Sequence, residues 1–219
     1  MEKDTPTIFI VKHRPYDNPI PEDYKELYVG DMYNGKSTGI NVLNPYINEV
    51  TALYDIWKRF KGNIAGLCHY RRYFIHNNEF VSIKTAKTIL KDYDIIITNN
   101  VVFDKGIYEQ LRIEMPNDNE RKILDKYYNK LIEMEPELKE YFDTKEFAPK
   151  EMFICKKSLI NKYCEWIFDL IIPLAIEFKE YDSNILQKRM LGHLTERLFY
   201  YWILKNKLKT YRMEYIDLW

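Results

Sequence analysis

The sequence predicts an α/β fold with a mostly parallel central sheet and helices on both faces. Compact β-branched and aromatic runs occupy residues 7–11, 64–68, 94–98 and 152–155, each the length of a buried strand. Between them lie segments with apolar residues at helical spacing, and strands alternating with helices feed a parallel sheet. The chain has 219 residues, 46% of them hydrophobic, which suits one domain over 1–219 with a sizeable core.

Residues 7–11 run into Lys12-His13-Arg14-Pro15, so a buried first strand ends in a polar loop. Residues 16–39 are rich in Pro, Gly, Asp and Asn and read as loop, with a short strand at 27–29. Asn44-Pro45 is a helix start, with Asn44 suited to the N-cap and Pro45 to the first helical position. Ile47, Val50, Leu53, Tyr54 and Trp57 then make one apolar face of a helix ending near Lys61-Gly62. The second strand, 64–68, leads straight into His69-Tyr70-Arg71-Arg72-Tyr73-Phe74. A helix over 82–91 and a third strand over 94–98 follow. Residues 106–142 are charged and helical in period, interrupted at Pro116 and Pro136; 106–145 is the candidate helical insertion. A fourth strand at 152–155, helices over 158–172 and 191–204, and a closing strand at 211–216 complete the chain.

Composition narrows the function. There are 33 basic and 33 acidic residues, and a general polyanion binder usually carries a basic excess. Aromatics reach 16%, with 19 Tyr; tyrosine suits sugar and base surfaces, and composition bias accounts for the count equally well. Cys68, Cys155 and Cys164 are too few and too scattered for a disulfide framework and point to a reducing compartment, and Cys68 and Cys155, each ending an apolar run, read as small core residues. The charged start and the lack of a secretory leader or an apolar run of about 20 residues point to a cytoplasmic protein.

In open α/β sheets ligands bind beyond the carboxyl ends of the strands. Lys12-His13-Arg14 follows the first strand and His69-Tyr70-Arg71-Arg72 the second. If those strands are neighbours, the two clusters converge on one crevice able to cradle a diphosphate; apart, they are solvated charges at strand ends. Other templates are missing: there is no Gly-rich phosphate loop, zinc-ligand spacing or Gly-x-Ser-x-Gly elbow. The one Asp-x-Asp, Asp92-Tyr93-Asp94, precedes its strand and so sits at the wrong end of the sheet.

The run 44–58, beginning Asn44-Pro45-Tyr46-Ile47-Asn48-Glu49, and the run Gly66-Leu67-Cys68-His69-Tyr70-Arg71-Arg72-Tyr73-Phe74 resemble a bacterial family of capsular and exopolysaccharide glycosyltransferases. That family has long been described as a domain of unknown function, and some members are galactofuranosyltransferases. The likeness continues at 11–16, 28–30, 152–157 and 163–168, and at Arg189-Met190-Leu191-Gly192-His193-Leu194-Thr195-Glu196-Arg197-Leu198. It departs in the short charged middle and at Asp55, where relatives often carry an aromatic.

The resemblance implies a GT-A-like fold, a nucleotide-sugar donor, in particular a UDP-sugar such as UDP-galactofuranose, and a hydroxyl of a glycan acceptor. It sets residues 69–72 where other GT-A enzymes hold a metal through Asp-x-Asp, so that Arg71 and Arg72 wholly or partly replace the metal as catalytic groups. No metal ligand set is assigned, and Mn²⁺ or Mg²⁺, with help from Asp31 or Asp94, stays open as cofactor. Donor contacts fall to Lys12, His13, Arg14, Asn44, Glu49, His69, Tyr70, Arg189 and Arg197. Glu196 is the first candidate for the base that takes the acceptor proton, or else an exposed helix charge. Glu49 either binds ribose or sugar hydroxyls or complements the helix dipole. Asn44 caps, touches donor, or both, and His193 faces the acceptor or sits at the core edge. Tyr70 and Tyr73 stack on a base or simply pack.

Two further functions fit the same residues. One keeps the chemistry and changes the acceptor to a hydroxylated base of modified, viral DNA. The other is a non-catalytic nucleotide- or RNA-binding module, with residues 69–72 as an aromatic–basic platform.

Overall fold

Strand β1 (Thr7–Lys12) is buried along its whole length, with Phe9 and Val11 on one face and Ile8 and Ile10 on the other. A strand covered on both faces needs apolar side chains at successive positions, so it reads as a continuous run. The same holds for β3 (Ile64–His69), β6 (Ile95–Thr98) and most of β9 (Phe153–Lys156). With β2 (Tyr24–Tyr28) and β10 (Thr210–Met213) at the edges, they form a sheet in the order β10-β6-β9-β3-β1-β2. β9 runs antiparallel to both its neighbours, β3 and β6, and the other pairs on this path are parallel. The expected mostly parallel α/β sheet is therefore present. The computed structural model describes residues 5–33, 40–181 and 186–218; the end of the loop read at 16–39, the charged start Met1–Asp4 and the last residue lie outside that set.

The two faces are covered unequally. One carries α1 (Asn44–Ile47), α2 (Val50–Arg59), α7 (Lys157–Lys179) and α8 (Met190–Lys205), with the charged helices α4 (Ile107–Ile113), α5 (Asp118–Met134) and α6 (Leu138–Asp143). Ile107, Leu111, Leu124, Tyr127, Leu131 and Leu138 join the same apolar core as α7 and α8, so most of the charge of this middle segment lies on its outer face, while Glu120 is buried and accepts the N–H groups of Leu186 and Gln187. A two-strand ribbon, β7 (Val101–Val102) and β8 (Glu146–Phe147), closes the segment at its base. The opposite face carries α3 (Ile83–Ile89), capped by Ser82, whose side chain accepts the Thr85 N–H. Beside it lie β4 (Arg72–His76), β5 (Glu79–Phe80) and β11 (Tyr215–Asp217).

Three local readings change. The single helix expected from Asn44 is two helices broken at Asn48, which sits at φ +51. Asn44 is inside α1 rather than its cap, and its Nδ2 donates to the Asn48 carbonyl and to Thr51 Oγ1 across the break. Helix α7 continues through Pro173 to Lys179. The proline costs about 3 kcal/mol, and burial of Leu174 and Phe178 offsets it at about 1.5–3 kcal/mol each. The closing strand is two short strands, β10 and β11, which pair with different partners.

Candidate functional site

β1 and β3 are parallel neighbours, with Ile10 opposite Cys68 and Val11 opposite His69. Their carboxyl ends deliver His13 and His69 to one edge of the sheet, where ligands bind in such folds. Glu49, at the start of α2, and Arg189, just ahead of α8, close the place from the helix side. Between them opens a cleft of about 140 Å³, with Val11, Val29 and Pro45 as its apolar wall and His13, Asn44, Asn48, Glu49 and Arg189 as its polar lining.

Glu49 is the electrostatic centre. Its Oε1 lies 3.4 Å from His69 Nδ1 and 3.8 Å from Nη2 of Arg189. Burial opposes its ionisation, yet His69 and Arg189, with smaller help from its own backbone N–H and His13, hold the carboxyl below its usual range. His13 shifts downward, because burial disfavours the imidazolium more than Glu49 favours it. Arg189 Nε donates to Asn48 Oδ1 at 2.8 Å, which fixes a side chain that is otherwise half exposed.

Behind the cleft, His69 Nε2 lies 2.6 Å from the Lys150 carbonyl. A carbonyl only accepts, so that nitrogen carries the proton and Nδ1 faces Glu49. The N–H of Lys150 donates to Glu196 Oε2 at 3.0 Å, and Glu196 Oε1 is 3.9 Å from His193 Nδ1. Arg189, His193 and Glu196 follow one another at spacings of four and three, so they share one face of α8.

The structure thus brings together His13, Asn44, Glu49, His69 and Arg189, with Glu196 and His193 one link away through Lys150. It holds the other sequence candidates elsewhere. Tyr70 and Arg71 form the turn between β3 and β4. Arg71 Nε and Arg72 Nε lie 3.4 and 2.8 Å from the two oxygens of Asp217, so one carboxylate of β11 answers both guanidinium groups. Arg72 still reaches to 3.5 Å from His69 Nδ1. Lys12 is buried in an ion pair with Glu26 and donates to the Tyr16 carbonyl. Arg14 donates to the Tyr70 hydroxyl, and the Tyr70 ring meets His13 edge-on at 5.0 Å. Arg197 is buried and donates to the carbonyls of Ile107 and His193, a structural tie between α8 and α4. Asp94, read as being at the wrong end of the sheet, accepts the Lys209 N–H there. Asp55 is buried on α2 and faces Arg59 one turn on.

Sequence reasoning missed Asn48, Gly192, Lys150 and Glu151. Asn48 had a signal, since asparagine is among the few residues that tolerate a positive φ. Gly192 lies so close to Asn48 that a Cβ there would stand 1.9 Å from its Nδ2. Lys150 and Glu151 form a turn at φ +79 and +50 that no residue type announces.

Residues 7–207 match the family described as a domain of unknown function, DUF4422. The chain belongs to the DUF4422 family. The match runs from β1 to the end of α8 and so includes every residue of the cleft. In structure this DUF4422 chain is similar to the WbbM bifunctional glycosyltransferase in its apo form, with a TM-score of 0.75 at 18% identity. The superposition covers 98% of this chain and 45% of that one, so the chain spans somewhat less than half of that structure. At this identity the likeness is one of fold. No curated protein matches the sequence. Among the described residues, no helix is long and apolar enough to cross a membrane.

Proposed function

We propose that this DUF4422 chain transfers a sugar from a nucleotide-sugar donor to a hydroxyl of a glycan acceptor. The observation that carries the reading is the convergence of His13, His69, Glu49 and Arg189 at the carboxyl ends of β1 and β3, in a fold like that of a glycosyltransferase. The wall of Val11, Val29 and Pro45 receives the nucleoside. Arg189, pre-oriented by Asn48, grips the diphosphate, and His13 adds a donor, while His69 holds Glu49 from behind. Glu49, kept ionised, accepts from ribose or sugar hydroxyls. Arg71 and Arg72 act from behind, through Asp217 and the His69 ring.

In the transfer, the acceptor oxygen attacks the anomeric carbon and the bond from that carbon to the diphosphate oxygen breaks. The electron pair leaves with the nucleoside diphosphate, stabilised by Arg189 and His13 as charge develops. The acceptor proton passes to Glu196, whose other oxygen is fixed by the Lys150 N–H, and His193 orients the acceptor. The cleft pairs a single carboxylate with cationic groups, whereas Mn²⁺ or Mg²⁺ prefers several oxygen ligands. We therefore route no step through a cation. The family resemblance supports a UDP-linked donor, including UDP-galactofuranose, and a capsular or exopolysaccharide acceptor. Three free, buried cysteines support action in the cytoplasm.

The test is binding and slow hydrolysis of a nucleotide-sugar panel, with and without Mn²⁺, by wild type, Arg189→Ala and Arg71→Ala. Release of nucleoside diphosphate from one sugar, lost in Arg189→Ala, is the expected result. Failure to bind any nucleotide sugar or nucleoside diphosphate under either condition overturns the reading.

A further inference from the structure

The turn between β8 and β9 concentrates more constraints than any loop needs for chain reversal. Lys150 and Glu151 are consecutive, non-glycine and left-handed, a conformation that costs about 1–2 kcal/mol per residue. Four elements hold it. Thr98 Oγ1, from the end of β6, donates to the Pro149 carbonyl at 2.8 Å. His69, from β3, donates to the Lys150 carbonyl, and Glu196, from α8, accepts the Lys150 N–H. Tyr163 Oη, from α7, donates to Glu151 Oε1 at 2.8 Å. Strained backbone persists only where its surroundings over-determine it, and it gathers at functional sites.

The chemistry around the Glu151 carboxyl is that of a protonated acid. The side chain is buried. Facing it are Tyr163 and Cys164 from α7, Thr195 and Glu196 from α8, and Glu49 from the start of α2. No cation is among these groups. Burial, reinforced by the negative charges of Glu196 and Glu49 and opposed by the hydrogen bonds from Tyr163 and Thr195, pushes this carboxyl up to about 8.

We propose that Glu151, in its neutral form, is a positioning residue: it seats the left-handed turn whose Lys150 backbone orients His69 toward the cleft and Glu196 toward the acceptor. Ionisation of Glu151 places a third negative charge beside those of Glu196 and Glu49 in a buried space and unseats the turn. What this does to turnover rests on the glycosyltransferase reading; what it does to His69 does not.

The experiment follows the ring signals of His69 by heteronuclear NMR from pH 6 to 9.5, in wild type, Glu151→Gln and Glu151→Ala. Hydrolysis of the UDP-sugar panel is measured over the same range. Glutamine copies the neutral carboxyl. In wild type the His69 signals are expected to shift with a midpoint near pH 8, and that transition is absent in Glu151→Gln. Turnover in wild type falls at least tenfold above the same midpoint, whereas Glu151→Gln keeps wild-type activity within about threefold and loses the alkaline limb. Glu151→Ala, folded but without the seat, shifts His69 at every pH. Flat His69 signals in wild type across pH 7–9, or an unchanged transition in Glu151→Gln, overturn the proposal. If no nucleotide sugar is bound or cleaved by any variant, the glycosyltransferase reading fails, and the His69 transition still decides the role of Glu151.

Discussion

Gly192 of α8 and the side chain of Asn48 occupy the same space to within an atom: a Cβ on residue 192 would stand 1.9 Å from Asn48 Nδ2. Asn48 in turn accepts from Arg189 Nε. The glycine is therefore what lets α8 approach the break between α1 and α2 and bring Arg189 over Glu49. Gly192→Ala must push Asn48 aside, at a cost of about 1–3 kcal/mol for overpacking. Urea denaturation should register that loss, and calorimetry should show nucleoside diphosphate affinity falling at least tenfold. Unchanged affinity would separate Arg189 from the ligand.

Asp217 is the shared partner of Arg71 and Arg72, all three being mostly buried side chains. Removing one partner of such a group leaves charge uncompensated, which costs more than the ion pairs themselves contribute. Asp217→Ala is expected to lower stability by about 2–4 kcal/mol, and Asp217→Asn by less, because it still offers an acceptor to Arg72. Equal destabilisation by the two variants would show that packing of β11 on β4, not the charge, is what Asp217 supplies.

The sheet was legible in the sequence because its central strands are buried on both faces and so appear as uninterrupted apolar runs. The adjacency of β1 and β3, and hence the meeting of His13 with His69, stayed conditional, because runs that follow one another need not pair: β9 separates β3 from β6. The partner of Arg71 and Arg72 was not legible, for a different reason. Their chemistry suits a diphosphate, but the carboxylate that takes them lies 145 residues downstream of Arg72, in a strand no local pattern connects to them. The Lys150–Glu151 turn was invisible for the same cause: its conformation is imposed by Thr98, His69, Tyr163 and Glu196, from four separate elements. Pro173 misled in the opposite direction, since local propensity says stop while the core beneath α7 says continue.

Lys150 at φ +79 tests how much of the turn is strain. Its ties to His69 and Glu196 run through the backbone, so glycine keeps them. Relief of the left-handed penalty, about 1 kcal/mol, is offset by the extra freedom glycine gives the unfolded chain, about 0.5–1 kcal/mol. Lys150→Gly should therefore match wild type in stability to within about 0.5 kcal/mol. Lys150→Val, β-branched at a positive φ, should lose more than about 1 kcal/mol. Chemical denaturation of the pair reads the difference, and equal stabilities would mean that the residue relaxes out of the left-handed region.

His13 is held toward its neutral form in the free protein by burial, with Glu49 opposing. A diphosphate seated against it adds negative charge and reverses that balance. Binding should then take up a proton, and affinity should strengthen as pH falls toward the usual imidazole range, near 6.5. Calorimetry in buffers of different ionisation heat measures the proton directly. His13→Asn should abolish the uptake; uptake that persists in that variant assigns the proton to His69 or His193 instead.

Glu151 makes stability depend on pH in a direction opposite to that of an ordinary paired carboxylate. In the folded chain its carboxyl keeps a proton up to about 8, against a usual value of 4.5. The folded state thus binds more protons than the unfolded state between those limits. Stability from this group is fully present below the lower value and is lost as pH rises through the higher one. Each unit in that window removes about 1.4 kcal/mol, so the total is a few kcal/mol and levels off above about pH 8. Glu151→Gln lacks the titration, so its melting temperature should climb relative to wild type from pH 5 to 8 and hold a constant gap beyond. Glu49, whose carboxyl is held low, works the other way, with its stabilisation present above the usual carboxylate range and lost on acidification. Thermal melts of Glu49→Gln and Glu151→Gln against wild type should therefore diverge at opposite ends of the pH scale. A gap for Glu151→Gln that stays constant from pH 5 to 8 would mean that the carboxyl is ionised in the fold and that the turn is held by Tyr163 and the backbone bonds alone.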